Sequence, residues 1–311
     1  LKKTAFLFPG QGSQSVGMGL DFYQEFDFVR ELFDMAEEIT RINISRLCFN
    51  GPMEDLTMTV NLQPAVTAVN LACLAVLEKE GRGADISAGH SLGEYSSLTA
   101  SEVISKEDTL RLVFKRGELM NRESTKHEGA MHAIIGLAID KIQGLVDEVQ
   151  GYGVVAVANH NTEHQIVITG APEQVEKVSS LAVLKGARAV PLRVSGAWHS
   201  EFIKGAEDEF RDFLDTVSFN TPKRLTIHNV TADFGGNPDD IKTLMARQLC
   251  SPVRWYDSMR RLIDEKVEIF AEVGPGRVLT GLLKKILPDD YPCCIYNINS
   301  LKNMEKFLKE P

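Results

Sequence analysis

Cysteine, tryptophan, cationic excess and uninterrupted apolar runs are all scarce in this 311-residue sequence, and each scarcity excludes a class of protein. The five cysteines, Cys48, Cys73, Cys250, Cys293 and Cys294, are odd in number and contain no Cys-x-x-Cys spacing. Neither a zinc site nor a disulfide framework is therefore expected, and a reducing, cytoplasmic setting fits. The formal charge of −9 argues against nucleic acid as the main partner, because phosphate binding needs a cationic face. No apolar run is expected to reach the length of a membrane span. The stretch from Leu1 to Phe8, stopped by Pro9-Gly10, is too short for a secretory leader. Internal repeats and low-complexity segments are absent.

What remains, 43% hydrophobic and 25% charged, is the composition of a globular chain with room for one large core and a smaller unit. The chain is organised around Gly89-His90-Ser91-Leu92-Gly93. A serine flanked by glycines two residues away, after a short apolar run and before a helix-compatible one, has the form of a nucleophile elbow. The bend is sharp, and the Leu92 amide opens a helix, where unpaired N–H groups favour negative charge. The same pattern also occurs in ordinary loops, so the motif alone does not decide between catalysis and a structural turn.

Apolar periodicity predicts a buried strand over 4–8 that empties into the glycine-rich turn 9–14, and helices over 27–40, 63–80 and 106–122. From Gly129 the rhythm changes. Strand over 130–135, helix over 140–149, strands over 154–158 and 165–169, helix over 173–184 and strand over 187–194 make a β-α-β-β-α-β unit of ferredoxin-like type. The reading is thus an α/β protein. A large hydrolase-like domain with a mainly parallel sheet spans 1–125 and 197–311, and a ferredoxin-like small domain is inserted at 126–196. Further helices are expected over 201–214, 239–249, 256–265, 277–286 and 301–308, with strands near 225–229, 267–273 and 293–298.

Counted at about 100° per residue, Arg116 falls in the middle of a face made by Leu112, Val113, Leu119 and Met120. An arginine there either snorkels or pairs with a structural carboxylate, or it awaits an anionic ligand. A serine nucleophile needs a base, and there are seven histidines to choose from. His90 adjoins the serine and is expected to turn behind the elbow; His127, His132, His160 and His164 fall in or beside the small unit. That leaves His199 and His228 open. The α/β-hydrolase order of serine, acid, then late histidine fits poorly, since no histidine follows His228.

Taken together, Phe8-Pro9-Gly10-Gln11-Gly12-Ser13-Gln14, Gln63-Pro64-Ala65, Gly89 to Glu94, Arg116-Gly117 with Met120, Gly129-Ala130-Met131, Ala158-Asn159-His160-Asn161, Gly196-Ala197-Trp198-His199-Ser200, Gln248-Leu249 and Glu272 to Gly276 carry a resemblance. The chain resembles the malonyl-CoA:acyl-carrier-protein transacylases and, more broadly, the acyltransferase domains of fatty-acid and polyketide synthases. The resemblance implies Ser91 as acylated nucleophile, His199 as general base, and a carbonyl at Gln248 that orients the histidine. It also implies the Gln11 and Leu92 amides as oxyanion hole, and Arg116 as carboxylate clamp with Gln63, Met120, Trp198 and Asn159 around the substrate. A neutral orienter suffices, because a thioester is more reactive than an amide.

Malonyl-CoA and holo acyl carrier protein are the implied partners, with no metal or other cofactor, no nucleic acid and no membrane. Lys115, Lys185, Arg188, Arg193, Lys284 and Lys285 are candidates for a basic rim facing an acidic carrier. The transacylase subunit of a malonate decarboxylase, a discrete polyketide-synthase acyltransferase and a serine thioesterase are the competing readings. Trp198, where phenylalanine is usual, Ile203, where methionine is usual, and Glu201, where proline is common, depart from the bacterial pattern.

Overall fold

The computed structural model describes residues 2–309. Their nine strands are β1 (Thr4–Phe8), β2 (Ile86–Gly89), β3 (Ala130–Ile135), β4 (Val155–Thr162), β5 (Gln165–Gly170), β6 (Arg188–Pro191), β7 (Leu225–Ile227), β8 (Ile269–Val273) and β9 (Cys294–Ile298). Five of these form one parallel sheet in the order β7-β2-β1-β8-β9, with β1 at its centre. Side chains of a strand alternate between faces, and both faces here are apolar. Phe6 and Phe8 enter the core beneath the long helices, whereas Ala5 and Leu7 pack on the opposite side with Trp255, Met259 and Leu283.

The other four strands form an antiparallel sheet in the order β4-β5-β3-β6. With helices Ile139–Val149 and Pro172–Leu184, this is the ferredoxin-like connectivity expected from the sequence. Its own core gathers Ile134, Ile142, Val146, Ile166, Ile168, Val175 and Val178. Met131, Ala133 and Val167, on the other face, join the main core. The sheet is further tied to the larger body by backbone pairing, since His160 N donates to Val253 O at 2.9 Å and Val253 N to Ala158 O at 2.8 Å.

Several sequence expectations change, and the helix expected over 201–214 is a 3₁₀ segment, Glu201–Ala206, followed by the α-helix Glu207–Asp215. The helix predicted over 63–80 begins earlier, as Thr59–Lys79, and its most apolar window has a mean hydropathy of 1.6. By length and composition it could cross a membrane, contrary to the expectation that no run approaches that size; 89% of the window is buried inside the protein, so it is a core helix. It also keeps Pro64 in its interior. An interior proline costs roughly 3 kcal/mol, which burial of Leu62, Val66, Val69 and Leu71 at about 1.5–3 kcal/mol each outweighs. Short helices at Leu20–Glu25, Ile44–Asn50 and Met53–Thr57 carry too few turns to show a period, and sequence reasoning missed them.

Candidate active site

The carboxyl ends of β1 and β2 meet at the elbow. Cβ atoms built on its glycines would lie 2.0 Å from the Gly93 backbone, for Gly89, and 1.9 Å from Phe8 O, for Gly93. The glycines are required because the helix Gly93–Ala100 starts in direct contact with the strands that deliver it. Ser91 sits at the apex with φ of 48°, a strained value for a residue with a side chain. Asn229, just beyond β7, brackets the bend: its Oδ1 accepts from Ser91 N at 2.7 Å and its Nδ2 donates to Gly89 O at 2.7 Å.

His199 follows the last strand of the small sheet and is also held at positive φ, 58°. Its Nε2 lies 2.8 Å from Ser91 Oγ, and its Nδ1 lies 2.9 Å from the main-chain oxygen of Gln248. A carbonyl can only accept, so Nδ1 carries the hydrogen and Nε2 presents a lone pair to the serine hydroxyl. The Gln248 side chain does not touch the histidine. Its Nε2 donates instead to Ser91 O at 2.9 Å and to Glu94 Oε2 at 2.7 Å.

Burial, reinforced by the positive charge of Arg116 and opposed by the Gln248 carbonyl, lowers the His199 pKa to about 3. The free imidazole is therefore neutral and able to accept a proton across the ordinary pH range, whereas an exposed histidine would be half protonated near 6.5. The unfolded chain takes up this proton near 6.5 and the folded chain does not. The stability contribution is thus complete above about 6.5 and declines as the pH falls toward 3. An NMR titration is expected to show a flat His199 signal from about pH 8 to about 5, and Arg116→Ala is expected to move its titration upward by removing the second cause of the depression.

Arg116 is 1% exposed, on the helix Lys106–Lys126, among the apolar residues that the helical count placed around it. Its Nη1 donates to Gln63 Oε1 at 3.0 Å and its Nη2 to Ser91 Oγ at 3.1 Å, while its Nε has no acceptor among the described residues. The Tyr95 ring lies 5.7 Å from the guanidinium carbon. Gln63 is itself oriented by a contact from Nε2 to Met120 Sδ at 3.0 Å. Of the two sequence alternatives, the structural carboxylate is not there: the guanidinium faces a cavity and lacks an anionic partner in direct contact.

That cavity, about 100 Å³, is lined by Gln11, Gln63, Ser91, Leu92, Arg116, Met120, Asn159, Trp198 and His199, together with His90, Met131, Leu192 and Val194. Two larger depressions elsewhere on the surface are bordered by charged side chains and contain no histidine, and a third, on the small sheet, holds His132 Nδ1 2.8 Å from Ser179 Oγ but no arginine and no glycine elbow. Gly10 lets the 9–14 turn lie against the elbow, since a Cβ there would fall 2.6 Å from His90 O and 3.4 Å from Leu92 N. The Gln11 and Leu92 amides donate to no protein acceptor among the described residues. Two unspent N–H groups beside a hydroxyl and an imidazole are the parts that acyl transfer needs.

The other histidines separate cleanly. His228 is fully buried behind the elbow, with Nδ1 2.8 Å from Glu94 Oε1. His90 packs against Trp255 and bonds Asn161 Oδ1 at 2.8 Å, turned away as expected. Comparison with known proteins agrees with this layout: residues 5–303 match the family model for the acyl transferase domain. A malonyl CoA-acyl carrier protein transacylase of Bacillus subtilis is 44% identical over 92% of this chain and 91% of its own length.

The chain belongs to the acyl transferase family that contains the malonyl CoA-acyl carrier protein transacylases.

Among solved structures, an acyl carrier protein S-malonyltransferase from Vibrio cholerae superposes with a TM-score of 0.93 at 37% identity, covering 98% of this chain and 99% of that one. A malonyl-transacylase solved with its type II PKS acyl-carrier protein superposes with a TM-score of 0.94 at 34% identity, covering 99% and 100%. Of the departures noted in the sequence, Trp198 alone reaches the cavity wall, and Glu201 is exposed. Trp198 is buried and lines the cavity, its benzo edge filling the space a side chain at Gly196 would need. Ile203 is 1% exposed and belongs to the main core. Sequence reasoning missed Asn229, Met131, Leu192 and Val194. Nothing in a lone asparagine or a scattered aliphatic residue marks it, and only the elbow's need for a partner at the Ser91 amide could have pointed to Asn229.

Proposed function

We propose that the protein transfers the malonyl group of malonyl-CoA to the phosphopantetheine thiol of acyl carrier protein through a malonyl ester on Ser91, in the service of fatty-acid synthesis. The reading is carried by one observation: Ser91 Oγ stands within hydrogen-bond reach of both a neutral imidazole and a buried guanidinium that lacks an anion. Nucleophile, base and carboxylate clamp thus share one small cavity.

In the first half-reaction Ser91 Oγ attacks the thioester carbonyl and its proton passes to His199 Nε2. The tetrahedral oxygen settles between the Gln11 and Leu92 amides, and the imidazolium, held by the Gln248 carbonyl, returns the proton to the departing CoA sulfur. In the second, the pantetheine thiol gives its proton to His199 and attacks the ester, and Ser91 leaves with that proton. Arg116 holds the malonyl carboxylate throughout by two parallel hydrogen bonds.

For the chain as a whole we take residues 1–125 with 197–311 as the catalytic domain and 126–196 as the small domain, in a cytoplasmic enzyme. The separate core of the small sheet supports the division. Lys185, Arg188, Arg193, Lys284 and Lys285 are exposed and make no ion pair among the described residues, so they remain available to an acidic carrier. Lys115 does not, because it pairs with Glu209 at 2.6 Å.

Partitioning of labelled malonyl tests the reading. Incubated with malonyl-CoA and holo carrier protein, the enzyme is expected to pass the label to the carrier; release as free malonate would assign a thioesterase instead. Offering carriers of fatty-acid, polyketide and decarboxylase type together separates the remaining alternatives by which one is loaded first. Trp198 crowds the carbon between the two malonyl carbonyls, so Trp198→Ala is expected to raise kcat/KM for methylmalonyl relative to malonyl by about 10-fold or more, measured by competition. An unchanged ratio would remove Trp198 from the selectivity wall.

A further inference from the structure

Glu94 lies three residues after the nucleophile, in the first turn of its helix, and is 1% exposed. A buried carboxylate is costly unless its oxygens are filled by donors. Here they are filled by three: His228 Nδ1 at 2.8 Å on Oε1, and Gln248 Nε2 at 2.7 Å and the Asn229 amide at 3.3 Å on Oε2.

The second bonds made by two of those donors explain the arrangement. The Gln248 amide also donates to Ser91 O, and the same residue's main-chain oxygen accepts from His199 Nδ1. Asn229 accepts from Ser91 N and donates to Gly89 O. The two side-chain amides that pin the backbone of the strained serine, and the main-chain oxygen that receives His199 Nδ1, thus belong to residues anchored on Glu94. Burial disfavours the charged form of Arg116, and the Glu94 carboxylate opposes this only in part.

From this convergence we infer that Glu94 is a positioning residue for the acyl transfer, acting through Gln248 and Asn229 to hold Ser91 and His199 in register. The inference rests on the functional reading above and adds a residue that touches neither substrate nor base. A carboxylate accepts at both oxygens and so satisfies all three partners with His228 in its Nδ1–H tautomer. A glutamine would turn an N–H toward one of them.

The test is Glu94→Gln, with Glu94→Asp as a second variant should the first fail to fold, both checked by circular dichroism. Expected is a fall in kcat of about 10²-fold with KM for malonyl-CoA within about threefold, since Arg116 and Gln63 keep their places. A fluorophosphonate is expected to label Ser91 to full stoichiometry but more slowly. Combination with Gln248→Ala is expected to add little beyond the larger single loss. Unchanged kcat, or a reduced labelled fraction with a normal rate per labelled site, would overturn the inference and leave Glu94 a folding residue. Ser91→Ala, run beside them, separates the two levels. If it still transfers malonyl, the reading of the whole site fails; if it is inactive while Glu94→Gln is normal, only the positioning role does.

Discussion

Arg116→Ala is expected to lower kcat/KM for malonyl transfer by about 10²–10³-fold while leaving acetyl transfer within about threefold. The magnitude comes from the cost of leaving one partner of a buried charge pair alone, about 3–5 kcal/mol, here borne by the malonyl carboxylate. The asymmetry comes from the empty site. Burial pushes the Arg116 pKa down, and two neutral oxygens, from Gln63 and Ser91, are its acceptors. A carboxylate relieves that desolvation and acetyl does not, so removing the cation penalises one substrate alone. Arg116→Met, closer in volume, controls for the cavity that alanine would leave. Parallel kcat/KM measurements with malonyl-CoA and acetyl-CoA decide the matter, and equal losses on both would show that Arg116 acts on the serine rather than on the carboxylate.

The second large effect is expected at His199. His199→Ala should slow malonylation of Ser91 by about 10³-fold or more, because the hydroxyl then has no acceptor for its proton at neutral pH. His228→Ala should keep the dyad contacts, since its imidazole reaches Glu94 and not the serine, although loss of a buried partner is expected to lower the thermal midpoint. Single-turnover measurement of acyl-enzyme formation distinguishes the two variants. A fast His199→Ala with a slow His228→Ala would move the base to the far side of the elbow.

Most of the architecture could be read from residue order. The helix Asp27–Thr40 and the β-α-β-β-α-β run stood out by their apolar periods, β1 by its buried run stopped at Pro9-Gly10, and Leu301–Leu308 by its pattern behind the Ser300 cap. Arg116 stood out for the opposite reason, as a charge on an otherwise apolar helix face. What the sequence could not show is convergence across the chain. Ser91 and His199 are 108 residues apart, and Gln248 meets Ser91 across 157. Periodicity reports which face of an element is buried but not what it is buried against. The same limit hid Asn229 and the hub at Glu94, whose polar side chains look like surface residues until their partners are seen. The helix Thr59–Lys79 was misjudged in size because its first turn, Thr59-Val60-Asn61, is polar enough to resemble a loop.

The relation of Ser91 to the acyl group is the point on which the proposed function turns, and intact-mass measurement with peptide mapping reaches it most directly. Enzyme mixed with malonyl-CoA alone should gain one malonyl group, located on the peptide containing Ser91, absent from Ser91→Ala, and discharged when holo acyl carrier protein is added. An adduct on any other residue, or carrier loading that proceeds at the full rate in Ser91→Ala, would contradict the covalent route through this cavity.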